Sequence, residues 1–386
     1  MTSGALPPPF AGFSADELGR RRRALEDVMA AEGVDAVVLY GANRSGSAVS
    51  WLTQWPVTRE AHVLVMRGEP DVLLVSFYNH VPEARRRAAA ADVRFAGDDP
   101  AATLTGLLRD RGAAGRPVGF VGSLPWDQHA ALADGRRLVD LNRAHTRLRM
   151  RKSDEEIAAL RHAAALTDAA AGALVGGPLV GCTEHELTAR IEAAYVAHGG
   201  MHHIHYVGVT PMSAPDRSVP AQWPRARAVE AGDLLTFELS AAVAPEYSGQ
   251  LLRSVAVAAD PSPRARELHD VAEAALDAVS ARLRPGVHAE ELVEAAGVIE
   301  DAGFTTVDDL VHGFGGGYLP PVIGSRSRAI RPTPDLRLEA GMTVVVQPNV
   351  ATPDGRLGVQ TGELLLVTED GAERLHGFPR GLVRTA

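Results

Sequence analysis

Lys152-Ser153-Asp154-Glu155-Glu156-Ile157 divides the chain into two textures. Ser153 followed three residues later by Glu156 is a capping box, and acids in a first turn suit the positive end of a helix dipole. Ile157, Leu160 and Ala164 extend the apolar face, so a long helix starts here. Upstream, Ala15 to Glu32 is charged and periodic, a helix feeding the apolar strand Val34-Asp35-Ala36-Val37-Val38-Leu39-Tyr40. Ala61 to Met66 and Asp71 to Ser76 read as a hairpin around Gly68-Glu69-Pro70. Helical stretches follow from Pro82 to Ala91 and from Ala101 to Arg111, then the strand Val118-Gly119-Phe120-Val121. Alternating strands and helices predict an α/β domain over 14–148.

Downstream, Thr183-Glu184-His185-Glu186 opens another helix by the same capping logic. His202 to Val209 reads as a strand. Leu234 to Ala242 and Leu251 to Ala258 read as paired strands around the turn Pro245-Glu246-Tyr247-Ser248-Gly249. Helices over Pro263 to Leu283 and His288 to Ala302 follow, and the strands Met342 to Gln347 and Leu364 to Val367 close a second domain, 149–386.

The 386 residues are long enough for two buried cores, and 46% apolar with 23% charged residues is ordinary globular composition. A net charge of −9 gives no electrostatic support for nucleic-acid binding. Cys182 is the only cysteine, which excludes internal disulfides and Cys-rich zinc modules. No apolar run reaches membrane-spanning length, and Met1 to Phe13 lacks the pattern of a signal peptide, so a cytoplasmic protein with no membrane partner is expected. The glycines at 313 and 315–317 have neither dinucleotide spacing nor a P-loop lysine, which argues against a nucleotide site.

The order of elements resembles the creatinase/aminopeptidase P superfamily, peptidase family M24, over almost the whole chain. The markers are the helix opened at Lys152, Gly232-Asp233-Leu234 before a strand, Arg284-Pro285-Gly286, Gly341-Met342-Thr343-Val344, and Val367-Thr368-Glu369-Asp370-Gly371. The resemblance implies a mixed α/β (α+β) fold: a creatinase-like N-terminal α/β domain, then a pita-bread domain with a pocket between two β-layers. It also implies a homodimer.

Peptidases of this superfamily hold two divalent cations with two Asp, one His and two Glu, because a total charge of about +4 requires anionic oxygens. In this sequence His312 matches the His ligand and Glu238 stands at the first Asp position. Gln250 takes the second Asp position, placed by Tyr247 before it and Arg253 after it. The Glu238-to-Gln250 spacing is one residue longer than in the family, so an insertion lies in the turn and Gly249 is the alternative. Gln347 replaces the first Glu, Gly362 the last with Glu363 beside it, Gln360 a nearby Arg, and Leu319 a second His. Neutral amides and a glycine cannot neutralise two cations, so neither metal nor other cofactor is expected.

Metal-free relatives of the creatinase kind cleave C–N bonds in small polar molecules with a His as acid/base. By that analogy the chain is expected to be a metal-independent hydrolase of a small-molecule substrate. His312 would be the acid/base and Glu238 its orienting partner or the base itself. Gln250, Gln347 and Gln360 would bind the substrate, Arg253 or Tyr247 would hold a carboxylate or oxyanion, and Glu363 would add a polar contact. Arg217 and Trp223 lie in the polar loop Asp216-Arg217-Ser218-Val219-Pro220-Ala221-Gln222-Trp223-Pro224, expected to rim the pocket. His203 and His205 would share one strand face and line the pocket, or join His312 or Glu238 as a mononuclear metal site. A lyase or isomerase, a non-catalytic binding protein, and a metallohydrolase with rearranged ligands are the alternatives.

Overall fold

Ser14 Oγ accepts the Glu17 N–H and so opens α1 (Ala15–Ala31), which buries Leu18, Leu25 and Met29. The structure is a computed structural model that describes residues 6–43, 46–89, 92–217 and 219–385. The chain continues through β1 (Ala36–Ala42), α2 (Ala48–Thr53), β2 (Glu60–Met66), β3 (Val72–Val75), α3 (Val81–Arg87) and β4 (Asp92–Phe95). Next come α4 (Pro100–Asp110), β5 (Val118–Val121), α5 (Trp126–Ala133), β6 (Leu138–Asp140) and α6 (Asn142–Met150). The six strands form one mixed sheet in the order β4-β3-β2-β1-β5-β6. β1 is apolar almost throughout because both its faces are covered: Val37 and Leu39 pack with Leu25, Met29, Trp51 and Trp55, while Ala36 and Val38 pack with Leu104 and Leu108. The Gly68 hairpin forms as expected, with Leu64 opposite Val72. The helix expected to reach Ala91 ends at Arg87, and Ala91 itself lies outside the described residues.

Contacts divide the chain after Arg149: Ala11–Arg149 is one unit, and Met150–Ala386 with the stretch up to Phe10 is the other. In the second unit the Ser153 capping box opens α7 (Asp154–Gly176), and a second box at Thr183 opens α8 (Glu184–Val196). Strands β7 (Met201–Pro211), β8 (Asp233–Ala244), β9 (Tyr247–Ser248) and β10 (Leu251–Ala256) follow. Then come α9 (Pro263–Ser280), α10 (Ala289–Ala295) and α11 (Val298–Asp301). The single helix expected from His288 to Ala302 is therefore two, broken at Ala296-Gly297. An added Cβ on Gly297 would meet Arg326 Nη2 at 1.8 Å, so the break is packed against that side chain. The remaining strands are β11 (Thr305–Thr306), β12 (Val311–Phe314), β13 (Tyr318–Ile323), β14 (Thr343–Val346), β15 (Val350–Ala351), β16 (Gly362–Val367), β17 (Ala372–Arg374) and β18 (Val383–Arg384).

One hydrogen-bonded strand path runs β13-β12-β14-β16-β10-β8-β7, with β17, β18 and β9 attached at its sides, and β11-β15 form a separate ribbon. Register defines its two faces. Tyr206, Glu238, Leu252 and Gly362 stand opposite one another across four strands, and His312, Val345 and Leu364 continue the same face. His205, Leu239, Leu251 and Glu363 form the neighbouring row on the reverse face. Among the described residues no helix is long and apolar enough to cross a membrane.

Candidate functional site

Strand alternation puts His312 (β12), Glu238 (β8), Gln250 (two residues before Leu252) and Gln347 (two after Val345) on one face, joined by Gln360 just ahead of β16. All five side chains are buried. Gln250 Nε2 donates to Glu238 Oε1 at 2.8 Å and to Gln347 Oε1 at 2.9 Å. Gln347 Nε2 donates in turn to the backbone oxygen and Oδ1 of Asp309, each at 3.2 Å, and Gln360 Nε2 reaches Glu238 Oε2 at 3.5 Å. Tyr318 stacks on the His312 ring with centroids 4.5 Å apart and planes 23° from parallel. Gln360 Oε1 and Ser240 Oγ are buried without a hydrogen-bond partner. The network thus leaves polar atoms unmatched beside its carboxyl group.

The charges are unusual for a buried site. Burial, reinforced by the negative charges of Asp308 and Asp309, raises Glu238 to about 8, so its carboxyl group is mostly protonated at neutral pH. Burial lowers His312 to about 4, against the opposing pull of Asp308, so the imidazole is neutral. Asp308 is raised to about 6, first by burial and then by Asp309. Asp309 is also raised by burial. Asp308, Asp309 and Tyr318 escaped the sequence reading. The signal available was the pair of acids three and four residues before His312, in a stretch otherwise apolar.

The paired-metal centre of the superfamily does not fit these residues. Gln250 and Gln347 offer neutral amides where the superfamily places carboxylates, and Gln250 directs its amide nitrogen at two oxygens, where a cation would need oxygen donors. An added Cβ on Gly362 would lie 2.5 Å from Val346 O and 2.8 Å from Gln347 Cα, so this strand leaves no room for a side chain at the last ligand position. The alternative placement at Gly249 is closed too: its Cβ would stand 2.6 Å from Ala164 Cα in α7. Gln250 is the residue on the site face, and the extra residue is absorbed by the register shift between Ala242 and Ala244, with Glu246 at φ 68°.

Several other expected contacts are corrected by the structure. Arg253 and Glu363 point to the reverse face, where Arg253 donates to the carbonyls of Pro379, Leu252, Gly362 and Phe378 and to Glu363 Oε2. No donor remains for a substrate carboxylate. Glu363 is held also by Arg374. Tyr247 gives its hydroxyl to Glu156 of α7. His205 lies on the reverse face too, bonded through Nε2 to Tyr195 Oη at 2.8 Å. His203 does not share its face, because a bulge between His202 and Ile204 makes His203 the extra residue; its ring packs on Phe314, which packs on His312. Neither His203 nor His205 is brought to a ligand set with His312 or Glu238. Arg217 is tied to the buried Glu184 at 2.6 Å and to the Trp223 carbonyl, while the Trp223 ring is exposed. Ser218 of that loop lies outside the described residues.

Comparison with known proteins agrees with this architecture. The profile of metallopeptidase family M24 matches residues 158–369, and that of the creatinase/prolidase N-terminal domain matches 21–151. A probable dipeptidase PepE of Mycobacterium tuberculosis is 28% identical over 337 residues, 84% of each chain. An Xaa-Pro dipeptidase of Lactobacillus helveticus is 28% identical over 230 residues, 58% of this chain and 59% of that one. Among solved structures, the dipeptidase PepE of Mycobacterium ulcerans superposes with a TM-score of 0.79 at 25% identity, covering 97% of this chain and 99% of its own.

Proposed function

The chain belongs to metallopeptidase family M24, and from that premise we propose that it hydrolyses a C–N bond in a small polar amide or dipeptide without the family's metal pair. One observation carries this reading: the His312 imidazole and the Glu238 carboxyl group share one buried sheet face, where burial lowers the first and raises the second, and Gln250 ties Glu238 to Gln347 and, through it, to Asp309. Groups whose environments shift them in opposite directions are suited to acid and base roles. His312 takes a proton from the attacking water, and Asp308 stabilises the imidazolium that forms. Glu238 donates its proton to the departing nitrogen. Gln360, with a free acceptor oxygen, and Gln347 orient the substrate amide. The substrate class is drawn from the relatives, two of which are named as dipeptidases.

The test is turnover of a panel of amides and dipeptides, Xaa-Pro dipeptides included, by chelator-treated protein. Hydrolysis unaffected by chelator, and reduced about 10²–10⁴-fold by His312→Asn, is expected. Turnover that appears only with added manganese or cobalt would sink the proposal. A second reading, a non-catalytic domain that binds a polar ligand, is favoured by the double donation of Gln250, which satisfies Glu238 and Gln347 internally. Saturable binding without turnover would select it. A cytoplasmic homodimer is part of the first proposal, and sedimentation of the full chain tests the assembly.

A further inference from the structure

The β7 bulge does more than displace His203. His202 stands opposite Ala241 and His205 opposite Leu239, and these two residues of β8 lie two apart on one face. His202 and His205 therefore share the reverse face of the sheet, although three positions separate them. Their rings meet edge to face with centroids 4.7 Å apart. Glu192 and Tyr195, one turn apart on α8, reach the same pair. His202 Nδ1 is 3.4 Å from Glu192 Oε1, and Tyr195 Oη is 2.8 Å from His205 Nε2. One ligand atom each from Glu192, His202 and His205 lies within 4.8 Å of the other two.

We propose that Glu192, His202 and His205 form a binding site for one divalent transition-metal ion of the zinc class, separate from the His312 face. Two imidazole nitrogens and a carboxylate oxygen are a donor set that zinc takes, with water completing a tetrahedron. Bonds of about 2.0–2.1 Å place tetrahedral donors about 3.3 Å apart. The His202–Glu192 separation already matches, and both side chains are exposed enough to close on an ion. His205 is 8% exposed and its Nδ1 has no hydrogen-bond partner. Its other nitrogen is engaged by Tyr195, the usual arrangement of a metal-bound histidine whose ring is oriented from behind. β7 ends the main strand path, so the ion would clamp a terminal strand to the helix that covers it.

Equilibrium dialysis of chelator-stripped full-length protein against micromolar zinc, read by elemental mass spectrometry, tests the site. About one ion per chain is expected, with a rise in Tm and, for cobalt, the intense visible absorption of tetrahedral coordination. His202→Ala and Glu192→Gln, both at partly exposed positions, should abolish retention. Tyr195→Phe should weaken it about 10-fold, and His312→Asn should leave it unchanged. No zinc on the wild type, equal retention by His202→Ala and Glu192→Gln, or loss through His312→Asn would each overturn the assignment.

Discussion

Gln250 holds Glu238 through a 2.8 Å hydrogen bond at the place where the metallopeptidases of this superfamily pair two carboxylates around a metal bridge. An amide there converts a cation site into a hydrogen-bond site. Restoring carboxylates at Gln250 and Gln347, as Gln250→Asp with Gln347→Glu, is expected to bring like charges beside Glu238 in a buried space without recovering a metal pair, because Gly362 offers no last ligand. The double variant should lose about 2–4 kcal/mol at pH 8, and less at pH 5 where the acids are protonated. Calorimetric titration with manganese checks the first half: tight binding of two ions would show that the Gly362 obstruction is not limiting.

Glu238 and His312 give stability opposite pH slopes. Glu238 has a folded pKa of about 8, above its ordinary 4.5, so the folded state binds the extra proton and stability falls as pH rises from about 4.5 to about 8. His312 has a folded pKa of about 4, below 6.5, so stability falls as pH drops through that window. Each tenfold change in proton affinity corresponds to about 1.4 kcal/mol. Glu238→Gln should therefore flatten the alkaline limb and raise Tm relative to wild type at pH 8, and His312→Gln should flatten the acid limb. An unchanged alkaline slope in Glu238→Gln would mean that the carboxyl group is already ionised in the fold.

Arg253 is a structural residue. It is 1% exposed and ties β10 to Glu363 and to the carbonyls of Phe378 and Pro379. Arg253→Ala should cost about 3–5 kcal/mol in chemical denaturation, towards the lower end because Arg374 still holds Glu363. Wild-type stability with a selective rise in KM would return it to the binding site.

The fold was legible because its signals are local. Two capping boxes, the Gly68 hairpin and the strand runs depend on neighbours in sequence, and the structure keeps them all. The placement of side chains was only half legible. His312, Glu238, Gln250, Gln347 and Gln360 gather as their motif positions implied. The histidine run did not follow simple alternation, because one bulge exchanges which histidines share a face, and no residue type announces a bulge. Glu363 lies one residue after the Gly362 position and Arg253 three after Gln250, and an odd offset along a strand sends each to the other side of the sheet.

Tyr318 covers His312. The phenol is 54% exposed while the imidazole beneath it is 2% exposed, so one exposed ring shields a buried one from water. Burial is the main cause of the low His312 pKa, and Asp308 already pulls the other way. Tyr318→Ala should therefore move the His312 titration upward from about 4 towards its ordinary value, by NMR of the ring protons. If His312 is the base in catalysis, the acid limb of kcat/KM must move upward with it, since a more basic imidazole stays protonated to higher pH. A ring that titrates higher while the acid limb stays fixed would separate His312 from the proton transfer and leave Asp308, at about 6, as the group that sets the limb.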